Sequence, residues 1–275
     1  MRRRARISVD SKDNEELQFI YDKIKGDLYE GNIYNGYFTV KIYEDTEGYK
    51  LLVDEIQKRS LKYSFAEARE YTKQEIKNAE FFLARFIYPW EHNPDNNAET
   101  YGTKYIGESG CTGCGRGKKQ ISELIVDMKK VIKYKISTII PEIMVSPDVM
   151  AIIEESRLTG VSFGSVRDYK NREMPSYYQM FIQNVLQKMS DEIRVEIQDI
   201  TTCKVCGTGG LFLRSEAIYE TEKLTNALDF NLTSEYFWSA NYCRREPIVS
   251  AKVRDVFNKY KIKFGSEPVS IRKDE

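Results

Sequence analysis

Cys111-Thr112-Gly113-Cys114-Gly115 and Cys203-Lys204-Val205-Cys206-Gly207 are two copies of one short pattern. In a C-x-x-C-G turn two thiolates leave one tight loop on the same side. The glycine lets the backbone bend so that N–H groups face the sulfurs. Two such knuckles supply four soft ligands in tetrahedral geometry, a set suited to zinc or to an iron site, with zinc the commoner outcome. Each copy runs on into more glycine, Gly115-Arg116-Gly117 and Gly207-Thr208-Gly209-Gly210, as a ribbon knuckle does. A thioredoxin-type redox pair would open into a helix instead. Structural disulfides are a further reading, rare in a reducing compartment. Cys111, Cys114, Cys203 and Cys206 are thus the expected ligands of one shared structural zinc. Cys243 has no partner at this spacing and reads as an ordinary thiol.

The sequence downstream of each knuckle also recurs. Met144-Val145-Ser146-Pro147-Asp148-Val149 leads through Ile152, Ile153 and Leu158 to Phe163-Gly164-Ser165. Ile248-Val249-Ser250-Ala251-Lys252-Val253 leads through Val256, Phe257 and Ile262 to Phe264-Gly265-Ser266. Ser146 and Ser250 are natural N-caps, and Pro147 suits a first helical position. The second copy carries extra residues before its cap, around Tyr242-Cys243-Arg244-Arg245. The expectation is an α+β fold in residues 101–275: a duplicated strand-helix unit with two zinc knuckles sharing one structural zinc. Metal binding would offset the entropy of closing so long a loop.

Residues 1–100 read as a separate α+β region. Ala5–Val9 alternates like a short strand, and Tyr37–Tyr43 is rich in β-formers. Leu17, Ile20, Tyr21 and Ile24 fall on one helical face that stops at Gly26. Thr72 and Glu75 form a capping box with Tyr71 and Ile76 at the staple positions, continuing through Ala79 and Leu83. The polar stretch from Pro89 to Thr103 marks the division. Between the two knuckles, Ser176–Ile182 reads as the start of a helix running through Leu186 and Met189. Ile193–Ile197 alternates and reads as a half-buried strand.

Composition narrows the function. The 275 residues are 41% hydrophobic and 12% aromatic, too apolar for a disordered chain. Forty-two Lys and Arg balance 42 Asp and Glu, which disfavours a globally basic nucleic-acid binder. No apolar run is long enough for a membrane span, and Met1–Asp10 lacks the apolar core of a secretory signal, so the expected location is the cytoplasm. The one histidine, His92, sits in a polar turn-forming stretch and reads as a surface residue. Walker, dinucleotide-binding and His-Glu-x-x-His patterns are absent. Four thiolates close a zinc shell, whereas catalysis needs an open position, so no enzyme is expected.

The two knuckles far apart in one chain resemble the bacterial double-CxxCG motif family. Many of its members carry proline after a knuckle's first cysteine, where this chain has Thr112 and Lys204. The resemblance spans residues 111 to 207, with the downstream repeat reaching about residue 266. It implies a cytosolic immunity-type protein that binds and neutralises a cognate protein toxin. The aromatic and arginine-rich segment with Tyr236, Phe237, Trp238, Tyr242, Arg244 and Arg245 is the expected partner surface, since such residues make good hot spots. The competing reading is a zinc-ribbon nucleic-acid-binding or regulatory protein using Arg116, Lys118 and Lys119.

Overall fold

A computed structural model describes residues 1–90, 97–106, 110–193, 195–196, 202–208, 210–213, 215–239 and 242–272, with the backbone alone at 195, 196 and 239. His92 lies outside the described residues. Among these residues the fold is mixed α and β, mostly strand, with six α-helices. No helix there is long and apolar enough to cross a membrane. Two compact units make up the chain, Met1–Asn78 and Ala79–Glu275. This division lies before the polar stretch from Pro89 to Thr103, because the strand that follows Asn78 is interior to a sheet of the second unit.

The first unit runs β1 (Arg2–Asp10), α1 (Asn14–Ile24), β2 (Leu28–Tyr34), β3 (Tyr37–Tyr43), α2 (Glu47–Lys58), β4 (Lys62–Glu70) and α3 (Lys73–Asn78). Its sheet has the order β2-β3-β1-β4, antiparallel throughout. Strand alternation sends Ala5, Ile7 and Val9 of β1, and Phe38, Val40 and Ile42 of β3, to one face. Leu17, Ile20 and Ile24 of α1 and Leu52 and Ile56 of α2 complete that core. Asp13 caps α1 through the N–H groups of Glu15 and Glu16. The glycine cap expected at Gly26 is not formed: α1 ends at Ile24, its C-cap Lys25 is right-handed, and the chain tightens into a 3₁₀ turn over Lys25–Asp27. The capping box is reciprocal, Thr72 N–H to Glu75 Oε2 at 2.8 Å and Glu75 N–H to Thr72 Oγ1 at 3.2 Å. Its apolar stripe does not continue, since α3 ends at Asn78, Ile76 is exposed and Leu83 lies in a strand.

The second unit begins with β5 (Phe81–Arg85), β6 (Tyr105–Ile106), β7 (Lys119–Gln120), β8 (Leu124–Val126), α4 (Met128–Val131), β9 (Ile136–Ile139), β10 (Glu142–Val145), α5 (Pro147–Glu155) and β11 (Val161–Asp168). It continues with β12 (Tyr178–Ile182), β13 (Val195–Glu196), β14 (Phe212–Leu213), β15 (Ile218–Glu220), β16 (Phe230–Leu232), β17 (Phe237–Ser239), β18 (Tyr242–Arg244), β19 (Pro247–Ser250), α6 (Ala251–Lys259), β20 (Gly265–Pro268) and β21 (Ser270–Arg272). Short ribbons β6·β7 and β13·β14 flank the two cysteine pairs. The strand after each ribbon, β8 or β15, pairs in parallel with the end of its stretch, β11 or β21. The strand before each long helix pairs antiparallel with an earlier strand, β10 with β9 and β19 with β16.

The same crossover therefore occurs twice, and each spans a strand from the other stretch. β12 lies between β10 and β11, antiparallel to both, and β5 lies between β19 and β20 in the same way. Just beyond these strands, Ile87 bridges to Ser137 of β9 and Val185 to Leu232 of β16. Ser146 and Ser250 both occupy N-caps. The Ser250 hydroxyl accepts from Val253 N–H, whereas the Ser146 hydroxyl bonds Asp148 instead. One core joins the two stretches: Val149, Ile152 and Ile153 of α5 pack with Val253 and Phe257 of α6 around Phe82 and Met180.

β12 replaces the helix expected from Ser176 onward. An unbroken apolar run fits a strand buried on both faces as well as a helix. Here Tyr178, Met180 and Ile182 face the shared core, while Tyr177 on the other face joins a cluster with Trp90 and Met144. The polar exception, Gln179, is buried and bonds Gln120 and Glu142.

Candidate metal centre

The knuckle turns have matching geometry. Gly115 N–H donates to the Cys111 carbonyl at 2.9 Å, and Gly207 N–H to the Cys203 carbonyl at 2.8 Å. Gly113 N–H reaches Cys111 Sγ at 3.3 Å, and Val205 N–H reaches Cys203 Sγ at 3.4 Å. Both terminal glycines are left-handed, with φ of 76° and 71°. The sequence bends this way because such a turn needs a residue without the Cβ penalty.

Folding brings the two pairs together. Cys111 Sγ lies 3.5 Å from Cys203 Sγ, Cys114 Sγ lies 3.8 Å from Cys206 Sγ, and all four sulfurs fall within 4.8 Å of one another. A tetrahedral site with metal–sulfur bonds of about 2.3 Å has sulfur–sulfur edges of about 3.8 Å. All five cysteines are free thiols, so the disulfide reading of the spacing is not realised. This is the one group of His, Cys, Asp or Glu among the described residues placed to hold a metal ion. The four sulfurs and the inward-facing N–H groups fit a metal ion.

The electrostatics differ from sulfur to sulfur. Backbone N–H groups of Cys206 and Val205 lower the Cys203 thiol, and so favour the thiolate a metal needs. Burial pushes the Cys114 thiol far up instead, disfavouring charge until a cation is bound.

Cys243 lies against the centre rather than apart from it. It is buried with Cys114 and Cys203, its N–H donates to the Cys114 carbonyl at 2.7 Å, and its thiol hydrogen-bonds the Cys114 sulfur. Burial raises that thiol to about 11, so it stays protonated near neutral pH. Sequence spacing could not reveal this role. The only signal was that Cys243 sits in the extra residues of the second stretch. Those residues form the hairpin β17·β18, which lies between β16 and β19 and has no counterpart between β9 and β10.

Most of the remaining expected site residues belong to the same hairpin. Tyr236 and Trp238 pack against the cysteine cluster half-buried, and Arg116 and Arg245 lie 4.9 and 5.0 Å from the Tyr236 ring centre. Arg244 is paired with Glu246 at 3.1 Å. Tyr242 is 6% exposed and covers Gly115, so it serves the knuckle's packing and does not belong to an open partner surface. Lys118, a candidate phosphate contact, is paired with Glu99 at 2.6 Å. A cleft of about 350 Å³ opens beside the hairpin, lined by Phe86, Leu213, Phe237, Trp238, Arg85 and Arg244 among others.

No family model matches the chain, and no curated protein does. One solved structure, described as the crystal structure of an unknown protein from Galdieria sulphuraria, is 7% identical over 98% of this chain and 99% of that chain, with a TM-score of 0.19. At that score the likeness carries no argument about fold or function, so the site's own chemistry is what characterises this chain.

Proposed function

We propose that the chain is a zinc-stapled binding protein of the double-CxxCG motif type, acting in the cytosol as an immunity protein that neutralises a cognate toxin by stoichiometric binding. The observation that carries the non-enzymatic part is the closed set of four sulfurs, which leaves no coordination position for water or substrate. Cys111, Cys114, Cys203 and Cys206 would hold the ion, and zinc would supply a redox-inert tetrahedral link between segments far apart in sequence. The twice-occurring order of ribbon, strand, helix and strand supports two duplicated halves, each giving one knuckle to the common zinc. The exchange of β5 and β12 fits that origin.

The partner surface of this reading is the part of the β17·β18 hairpin left accessible, Trp238, Tyr236, Arg244 and Arg245, beside the apolar cleft. Large aromatics and arginines around such a cleft make suitable binding anchors. The test is capture of the toxin from the native host by the tagged, metal-loaded chain. Expected is one stoichiometric protein that arrests growth when expressed alone and is silenced by co-expression. Trp238→Ala and Arg245→Glu should abolish rescue while leaving one zinc per chain. Rescue that survives both substitutions would remove this surface, and the lack of any such toxin would remove the immunity reading.

A further inference from the structure

The helices of the first unit cover one face of its sheet, and the other face is built of aromatic rings, hydroxyls and cations, with carboxylates paired to Arg2, Arg4 and Lys41. Tyr34 and Tyr37 are cross-strand partners that stack with centroids 4.7 Å apart, 49% and 40% exposed. Six residues along β3, about 20 Å at some 3.3 Å per residue, Tyr43 meets Tyr29 edge to face at 6.1 Å. Tyr29 reaches this face because a β-bulge between Leu28 and Glu30 breaks the alternation, and it stays 60% exposed. The Arg2 guanidinium lies 3.6 Å from the Tyr43 ring centre and that of Arg4 4.6 Å from Tyr29. Between the aromatic ends lies a depression of about 430 Å³ that includes Arg6, Lys41, Ser8, Thr39 and Asn32 in its lining.

We infer that this face binds single-stranded RNA. Rings at both ends offer π-faces on which unpaired bases stack, and a four-stranded sheet of this extent presents two or three such bases. Arg2, Arg4, Arg6 and Lys41 alternate with the rings, where a backbone linking stacked bases would place its phosphates. Three of these cations are already paired, Arg2 with Asp45, Arg4 with Glu70 and Lys41 with Glu30, and because the carboxylates of these pairs are solvent-exposed, exchanging one for a phosphate costs little. The central row of Ser8, Thr39 and Asn32 supplies the neutral donors and acceptors that a ribose 2′-hydroxyl requires. Zero net charge over the whole chain argues against a globally basic binder, not against a local platform of this kind. The inference is independent of the toxin-binding reading, whose surface lies in the second unit.

The test is fluorescence anisotropy with the metal-loaded full chain and a short labelled oligouridine, beside an oligothymidine of equal length and an RNA duplex. Oligouridine should bind most tightly, and more weakly as salt rises. Tyr37→Ala and Tyr43→Ala should each weaken binding by about five- to a hundred-and-fifty-fold, and Tyr37→Phe should retain it. Arg6→Ala should reduce the slope of log affinity against log salt by about one. Tyr260→Ala in the second unit should change nothing, and thermal melts verify that each variant is folded. Three results would overturn the inference: no oligouridine binding at about 100 μM protein, unchanged affinity in the folded alanine variants, or equal affinity for oligothymidine or duplex.

Discussion

Gly115 and Gly207 hold the same place in their knuckles and almost the same left-handed φ, yet their surroundings differ. A Cβ on Gly207 would meet nothing within 4 Å, whereas one on Gly115 would lie 1.9 Å from Cζ of Tyr242. Gly207→Ala should therefore cost only the backbone penalty, about 1 kcal/mol. Gly115→Ala adds a clash with a buried ring and should cost about 3 kcal/mol or more. Denaturant titration of the metal-loaded chain compares them, and equal losses would refute the role given to Tyr242. Cys243→Ala leaves the four ligands intact but deletes the hydrogen bond to the Cys114 sulfur. It should keep one metal per chain and weaken the affinity by about tenfold to a hundredfold, read by competition with a coloured chelator. The four ligands were legible in the sequence because two sulfurs three residues apart on a glycine turn have little else to do. Cys243 was not, because its place depends on a backbone contact between β18 and the first knuckle.

At the scale of elements, α5 and α6 end alike. Arg157 and Lys261 both take left-handed φ, 49° and 54°, just before the buried Leu158 and Ile262. A side chain pays for that conformation where glycine would not, so Arg157→Gly and Lys261→Gly should each raise stability by about 0.5–1 kcal/mol in denaturant titration. In the first unit, Glu55 of α2 accepts from Lys23 of α1 at 2.8 Å and from Arg59 at 2.7 Å, which hold its carboxyl at about 2, below the ordinary value of 4.5. A depressed pKa adds stability that is complete above the ordinary value and is lost as pH falls through the depressed one. The denaturation midpoint of the first unit should thus fall between about pH 5 and pH 2, and Glu55→Gln should flatten that part of the profile. Sequence periodicity located α1, β3 and both capped helices, whose apolar residues repeat with one clear period. It misread β12, where side chains are buried on both faces and strand and helix patterns coincide. It also carried the stripe after Thr72 too far, since nothing local indicates that the chain turns into β5 after Asn78.

For the whole molecule, removal of a metal held by the four cysteines should act on one unit and not on the other. The cysteine centre lies wholly within Ala79–Glu275, so a strong chelator should lower or abolish the thermal transition of that unit and leave the Met1–Asn78 transition in place. Calorimetry of the full chain with and without chelator decides this, and a uniform loss of both transitions would contradict it. The two helices that follow Ser146 and Ser250 were legible in the sequence. The partners of β5 and β12 were not, because strand pairing over such separations depends on the assembled core rather than on any local pattern. That pairing has a consequence for synthesis. β5 is the first strand of its unit to leave the ribosome, but its neighbours β19 and β20 follow only at residues 247–250 and 265–268. Until residues 247–268 have been made, Phe82 and Leu83 have no sheet to join, so this newborn segment is exposed to chaperones and proteases longer than any other strand of the unit.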